Sequence, residues 1–394
     1  LSELIRLARP SIDEGEFEAV RRVLSTGHLV QGAEVAAFEN HIGRFIGSKH
    51  AIAVSNCTAA LHLTLLALDV QAGDLVIVTS YSWISTANVI ELVGAQPVFT
   101  DIEKATFNMD PDELATVLRR LMSADDTRRR VKAILVVHTF GLMADMPRIM
   151  KIADEYAVPV IEDAACALGA EIAGRRAGTW GRIACFSFHP RKTITTGEGG
   201  VAVTNDDTLD NRLRAMRNHG LDPRAPVPDF IMVGFNYRLT DFQAAMGTSQ
   251  LAKLERILSA RARVADTYDR LLAQSEIRTP AVPDGFRHVY QSYVCLLPAA
   301  FAPLRASLIS ALRADGIETA VGTIHMPLST WFQRKYGYRA GDYRVTDAVA
   351  ACSLTLPLYE SLEEASLRRI VRKLDEVVSR LWVDQGKLLS SAGL

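Results

Sequence analysis

Phe186-Ser-Phe-His-Pro-Arg-Lys192-Thr-Ile-Thr-Thr-Gly-Glu-Gly-Gly200 places one lysine among small, hydroxylated and glycine residues, directly after an apolar, strand-like run at 183–188. A lysine in such a crowded stretch is costly to bury unless its amine is used. Desolvation lowers the pKa of a lysine, which suits the amine to act as a nucleophile or a Schiff-base partner. The neighbouring glycines let the backbone come close to a ligand. Upstream stands Val160-Ile-Glu-Asp163-Ala-Ala-Cys166-Ala-Leu-Gly-Ala170, an apolar strand that ends in a carboxylate. Lysine and a strand-end aspartate are what a pyridoxal 5'-phosphate (PLP) site needs, one as the Schiff-base amine and one as partner of the pyridinium nitrogen.

Outward from this stretch, short apolar runs at 51–54, 75–79, 96–100, 133–137, 158–161, 183–188 and 200–203 alternate with amphipathic stretches such as 59–68, 111–121 and 146–156. That alternation predicts an α/β fold with a largely parallel sheet covered by helices on both faces. Ligands of such sheets bind beyond the carboxyl ends of the strands, and Asp163 and Lys192 both follow strand candidates. Residues 240–273 read as one long helix capped by Thr240 or Asp241. It leads into a second unit with a strand at 288–297, a helix at 302–315 and a last helix at 363–382. The expected division is a large PLP-binding domain at 1–250 and a small C-terminal domain at 251–394.

The chain has 394 residues, with 44 basic and 45 acidic side chains. A net charge near zero argues against a general nucleic-acid or anionic-membrane surface. The 5 cysteines are odd in number and scattered, without a C-x-x-C pair, which fits neither a disulfide framework nor a zinc site. No signal-like segment opens the chain, and the longest uncharged run, 75–90, is too rich in Ser, Thr and Asn to span a membrane. The expectation is a cytoplasmic enzyme. Neither a Walker loop nor a G-x-G-x-x-G after a strand is present, and the histidines lack metal-site spacing.

With further motifs, the chain resembles the DegT/DnrJ/EryC1/StrS aminotransferases, PLP enzymes that aminate nucleotide-linked keto sugars. The resemblance runs from Leu7-Ala-Arg-Pro-Ser-Ile12 and Ser25-Thr-Gly-His-Leu-Val-Gln-Gly32 through Val54-Ser-Asn-Cys-Thr-Ala-Ala-Leu-His62, Thr79-Ser-Tyr-Ser-Trp83 and Gly94-Ala-Gln-Pro-Val-Phe-Thr-Asp101. Its last strong block is Gly234-Phe-Asn-Tyr-Arg-Leu-Thr-Asp-Phe-Gln-Ala-Ala245. It implies PLP-dependent transferase fold type I and a homodimer with shared active sites. L-glutamate is the implied donor, and a nucleotide sugar for surface polysaccharide or glycan synthesis is the implied acceptor. The Ile-Thr-Thr-Gly-Glu-Gly-Gly ending is similar to that of enzymes aminating C4 of a 4-keto-6-deoxy sugar more than to those acting at C3.

Lys192 is then the residue that carries the cofactor and moves the proton. Glu162 competes with Asp163 for the pyridine nitrogen, but strand alternation sends the two to opposite sides and the family pattern selects Asp163. The Cys57 and Thr58 amides enter a helix, where they suit either the cofactor phosphate or a simple N-cap. By resemblance Ser187 adds a hydroxyl to the phosphate, Trp83 stacks on the ring, and Asn236 reaches the phosphate of the neighbouring subunit. The resemblance also assigns Leu29, Gln31, Gly32, Arg238 and His325 to the substrate. Cys166 departs from the pattern, standing where similar enzymes place Gln or His, so it is carried over only as a neighbour of the cofactor. Two other readings stay open: an aminotransferase acting on a carbocyclic or aminobenzoate precursor, and a regulator that kept the fold and lost catalysis. The similar sugar dehydratases carry histidine in place of Lys192.

Overall fold

The computed structural model describes residues 4–391, with side chains to Leu381. Its centre is a seven-stranded sheet ordered His50–Val54, Gly200–Thr204, Ile183–Ser187, Val160–Asp163, Val131–Val137, Leu75–Thr79, Gln96–Thr100. Each strand lies on one of the apolar runs read from the sequence. All neighbours pair in parallel except Gly200–Thr204, which is antiparallel to both strands beside it.

The runs are continuously apolar because both faces are covered. Ala53, Ile77, Ile134, Val136, Val160 and Phe186 face one core with the helices Pro111–Met122 and Met146–Glu155. Ile52, Val54, Val76, Val78, Leu135 and Ile161 face the other with Cys57–Ala67 and Asp207–Arg217. Aspartates 110, 145 and 206 cap three of these helices by accepting from their first backbone N–H groups.

The long helix expected over 240–273 is two, Asp241–Ala252 and Leu254–Leu272. The break is Lys253 (φ −108°, ψ 9°), whose ammonium turns to Asp13 at 2.8 Å and Glu16 at 2.7 Å. Helical periodicity runs through this point, because a one-residue kink does not change which faces are apolar. A third core gathers Val264, Tyr268, Tyr293, Leu308, Leu312, Leu354, Ile370 and Leu374 around the antiparallel pair Tyr293–Leu296 and Ser353–Leu356. The strand expected at 288–297 begins only at Tyr293, since Tyr290 is left-handed (φ 46°). The buried Arg261 guanidinium holds the carbonyls of Tyr290 and Gln291 at 2.9 and 2.7 Å. Residues 302–315 form a 3-10 turn, Ala299–Leu304 containing Pro303, followed by the helix Arg305–Ala314. The last helix runs Glu364–Ser391.

Candidate active site

At the carboxyl edge of the sheet lies a cavity of about 740 Å³, lined by residues from 56–62, 82–92, 137–140, 163–166, 187–198, 291–292 and 320–324. Cys57, Thr58, Trp83, Asp163, Cys166, Ser187 and Lys192 all line it.

Lys192 is held there by its own motif. Its N–H donates to the His189 carbonyl at 2.8 Å, closing a turn over Pro190 and Arg191. The Phe188 carbonyl then accepts from the Thr196 N–H at 3.0 Å and the Thr195 hydroxyl at 2.8 Å. Gly197, at φ +82°, takes the left-handed conformation that turns the loop back, and its N–H donates to Thr195 Oγ1 at 2.9 Å. At Gly200 any Cβ would come within 2.4–2.6 Å of the Asn56–Cys57 backbone. The glycine is what lets this strand close on the helix entrance.

The Lys192 ammonium donates to Cys166 Sγ at 3.1 Å. Burial alone lowers its pKa, as the sequence suggested, but the net direction is upward. Cys166, Cys57 and Asp163 favour the charged amine and outweigh burial. Cys166, the departure from the family pattern, therefore sits against the lysine amine.

Asp163 is buried at the end of its strand. Its carboxylate accepts from Thr86 Oγ1 at 2.8 Å and from the Ala165 N–H at 3.2 Å. Burial pushes its pKa up despite these bonds and Lys192. Glu162 points away from the cavity, and its two oxygens accept from the N–H groups of Gly178, Trp180 and Gly181 and from His138 Nε2 at 2.9 Å. Its pKa is lowered, burial being outweighed by His138 and these amides. That stabilisation is present above the usual carboxylate range and is lost as pH falls through the depressed pKa. Glu162→Ala leaves the buried Gly178 amide, the partly buried Trp180 and Gly181 amides and the buried His138 without their acceptor. It is expected to cost about 3–5 kcal/mol, read as a lowered urea midpoint.

Asn56 caps the helix Cys57–Ala67 by accepting from the Ala59 N–H at 2.8 Å, and the first intrahelical bond is Ala60 N–H to the Asn56 carbonyl. The Cys57 and Thr58 amides, ahead of that bond, have no partner among the described residues, and both residues line the cavity. Trp83 is 63% exposed on its wall. Ser187 contributes a half-buried hydroxyl.

The other predicted residues do not line the cavity of this chain. Asn236 is exposed and bridges to Asn218, and Arg238 Nη1 donates to Asn218 Oδ1 at 2.5 Å. Leu29, Gln31 and Gly32 pack at the start of the helix Asp241–Ala252: the Asp241 N–H donates to the Leu29 carbonyl at 2.8 Å, and Gly32 N–H donates to Asp241 Oδ1 at 2.7 Å. His325 lies beyond the wall formed by Thr323 and Ile324, with Nε2 3.0 Å from Asp347 Oδ1. Sequence reasoning missed Thr86, Arg191, Gln291 and Ser292. Thr86 carried one usable signal, a hydroxyl in the first helical turn after a strand end.

Among the described residues no helix is long and apolar enough to cross a membrane, and no His, Cys, Asp or Glu cluster is arranged to hold a metal. Residues 10–375 match the DegT/DnrJ/EryC1/StrS aminotransferase family. A GDP-perosamine synthase of Caulobacter vibrioides is 37% identical over 378 residues, covering 95% of this chain and 98% of that protein. The structure of Helicobacter pylori PseC, an aminotransferase involved in the biosynthesis of pseudoaminic acid, superposes with a TM-score of 0.88 at 26% identity, covering 95% of this chain and 99% of that one. A Streptococcus pneumoniae chain described as a sugar aminotransferase, solved in its PLP form, gives 0.89 at 25% identity, covering 96% and 99%.

Proposed function

The chain belongs to the DegT/DnrJ/EryC1/StrS aminotransferase family, a PLP-dependent aminotransferase of mostly parallel α/β fold; from that premise we propose that it moves an amino group from L-glutamate to C4 of a nucleotide-linked 4-keto-6-deoxy sugar. The observation that carries this reading is the convergence of Lys192, Asp163 and the unpartnered Cys57 and Thr58 amides on one cavity. The likeness to a GDP-perosamine synthase supports a nucleotide-sugar acceptor and a role in surface polysaccharide or glycan synthesis.

The residues present fit PLP. Asp163 is a buried carboxylate whose raised pKa calls for a cationic partner, which a pyridinium N–H supplies. The free amides at the start of an 11-residue helix suit a phosphate, with Ser187 adding a hydroxyl. Trp83 would cover the ring face and exclude water. When bound, the cofactor supplies the electron sink for moving a proton and an amino group. Lys192 holds the group and moves the proton at its Nζ, Asp163 orients it and keeps its ring charged, and Cys166 Sγ meets the lysine amine.

A homodimer fits the surface. Val227, Phe230, Ile231 and Val233 are exposed apolar residues on the segment leading to Asn236, and Leu29 and Val30 are exposed beside Thr240. In this reading both segments dock on a second copy and bring Asn236, Arg238, Leu29, Gln31 and Gly32 to the partner's cavity, while His325 supports the sugar-facing loop of its own. The 5 free cysteines suit a reducing cytoplasm.

The test is an absorbance spectrum of the PLP-loaded protein before and after L-glutamate. A visible band shifted to shorter wavelength is the expected result, followed by conversion of a panel of nucleotide keto sugars. A band that glutamate leaves unchanged rules out the donor assignment.

A further inference from the structure

Two substrates must bring their reacting atoms to Lys192 in turn, and each carries oxyanions: carboxylates on the amino donor, a diphosphate on the nucleotide-linked sugar. The part of the wall that this chain itself supplies offers few cations to meet them. Lys192 is engaged with Cys166, and His189 lies 4.0 Å from Glu198 with its pKa lowered, first by burial. Arg191 is different. Arg191 lines the cavity and is exposed, and its guanidinium makes no hydrogen bond or ion pair with any described residue.

Its backbone, in contrast, is fixed at both ends. The Arg191 N–H donates to His189 Nδ1 at 3.2 Å, and its carbonyl accepts from Gln291 Nε2 at 2.9 Å. Gln291 is anchored in turn, its carbonyl held by the buried Arg261 at 2.7 Å. A pinned stem with an unspent planar fork of N–H donors suits bidentate capture of a carboxylate or a phosphate. It stands one residue before Lys192, so an anion held there leaves the rest of its molecule beside the reacting amine.

We infer that Arg191 is the oxyanion anchor of this cavity, gripping a substrate carboxylate or phosphate while Lys192 acts on the substrate. The inference rests on the aminotransferase reading above and adds the group that recognises substrate charge. Its test measures binding of two unreactive probes, glutarate and GDP, to the PLP-loaded protein by titration calorimetry. Arg191→Gln is expected to weaken one or both by at least about ten-fold, with the visible band and melting temperature unchanged. Arg191→Lys is expected to recover only part of the loss, because an ammonium keeps the charge but not the fork.

Weakening of glutarate alone assigns the anchor to the donor carboxylate, weakening of GDP alone to the diphosphate, and weakening of both to a shared anchor. Wild-type affinities for both probes in Arg191→Gln overturn the inference, as does wild-type protein that binds neither. The two readings fail separately. A wild-type band that shifts with glutamate, beside unchanged probe affinities in Arg191→Gln, removes the anchor and leaves the transaminase. A band that glutamate does not move, with probe binding that still depends on Arg191, does the reverse.

Discussion

Lys192→Ala is expected to give a folded protein that no longer transaminates. No other primary amine lines the cavity among the described residues, so no neighbour is placed to take over. Proton transfer by a positioned side chain is worth about 10²–10⁴ in rate, and the variant loses in addition the amine that fixes the cofactor. A fall in single-turnover rate with glutamate of at least about four orders of magnitude follows. The fold has little reason to suffer. The Lys192 side chain makes one hydrogen bond, to Cys166, whereas the loop that carries it is tied by the Thr195, Thr196 and Gly197 bonds, which alanine leaves intact. Cys166, Cys57 and Asp163 outweigh burial in favouring the charged amine, so removing it should lower the melting temperature of the cofactor-free variant modestly, without loss of the cooperative transition. The variant should take up PLP without the wild-type visible band, and added methylamine should restore a measurable part of the rate. A variant within ten-fold of wild-type turnover would remove the central assignment.

Why the fold was legible and parts of the site were not comes down to what local sequence encodes. Runs such as Leu75-Val-Ile-Val78 are apolar at every position because the strand is buried on both faces, and that pattern needs no tertiary information. The reversed direction of Gly200–Thr204 leaves no trace in composition, since parallel and antiparallel neighbours bury the same side chains. The bend at Lys253 is hidden as well: the carboxylates that meet its ammonium there, Asp13 and Glu16, lie far away in the chain. In the site, the residues read correctly as neighbours of one cavity sit within contiguous motifs at strand ends, where the fold rule places ligands. Thr86 and Gln291 reach the same place through helix and loop packing, which no spacing announces. Leu29, Gln31, Gly32, Asn236 and Arg238 came from resemblance alone, and in a single chain they remain outside the cavity.

Asp163→Asn separates the charge of this side chain from its shape. Asparagine keeps the volume and, with its single oxygen at the Oδ1 place, can still accept from the Ala165 N–H; its NH2 then stands at the Oδ2 place and donates to Thr86 Oγ1, whose hydroxyl can turn to Ser82 Oγ, 3.0 Å away. What it loses is the negative charge that keeps the cofactor ring protonated and able to draw electrons. A fixed charge in a dry site commonly contributes about 10²–10³ to rate, so kcat is expected to fall by roughly that factor or more, with PLP affinity also reduced. Stability should move the other way in the cofactor-free protein. Burial raises the Asp163 pKa in the folded state, so ionisation favours the unfolded chain once pH exceeds the usual aspartate value. The wild type therefore loses stability as pH rises toward the raised pKa, and the asparagine variant does not. Near neutral pH the cofactor-free variant should melt higher than the cofactor-free wild type, and the difference should shrink as pH falls below about 4. PLP reverses the order by giving the wild-type carboxylate a cationic partner. Melting curves of both proteins across pH, with and without PLP, measure each step. A variant that melts lower than the wild type without PLP near neutral pH would mean that Asp163 is a structural carboxylate like Glu162, and unchanged kcat would mean that its charge takes no part in the reaction.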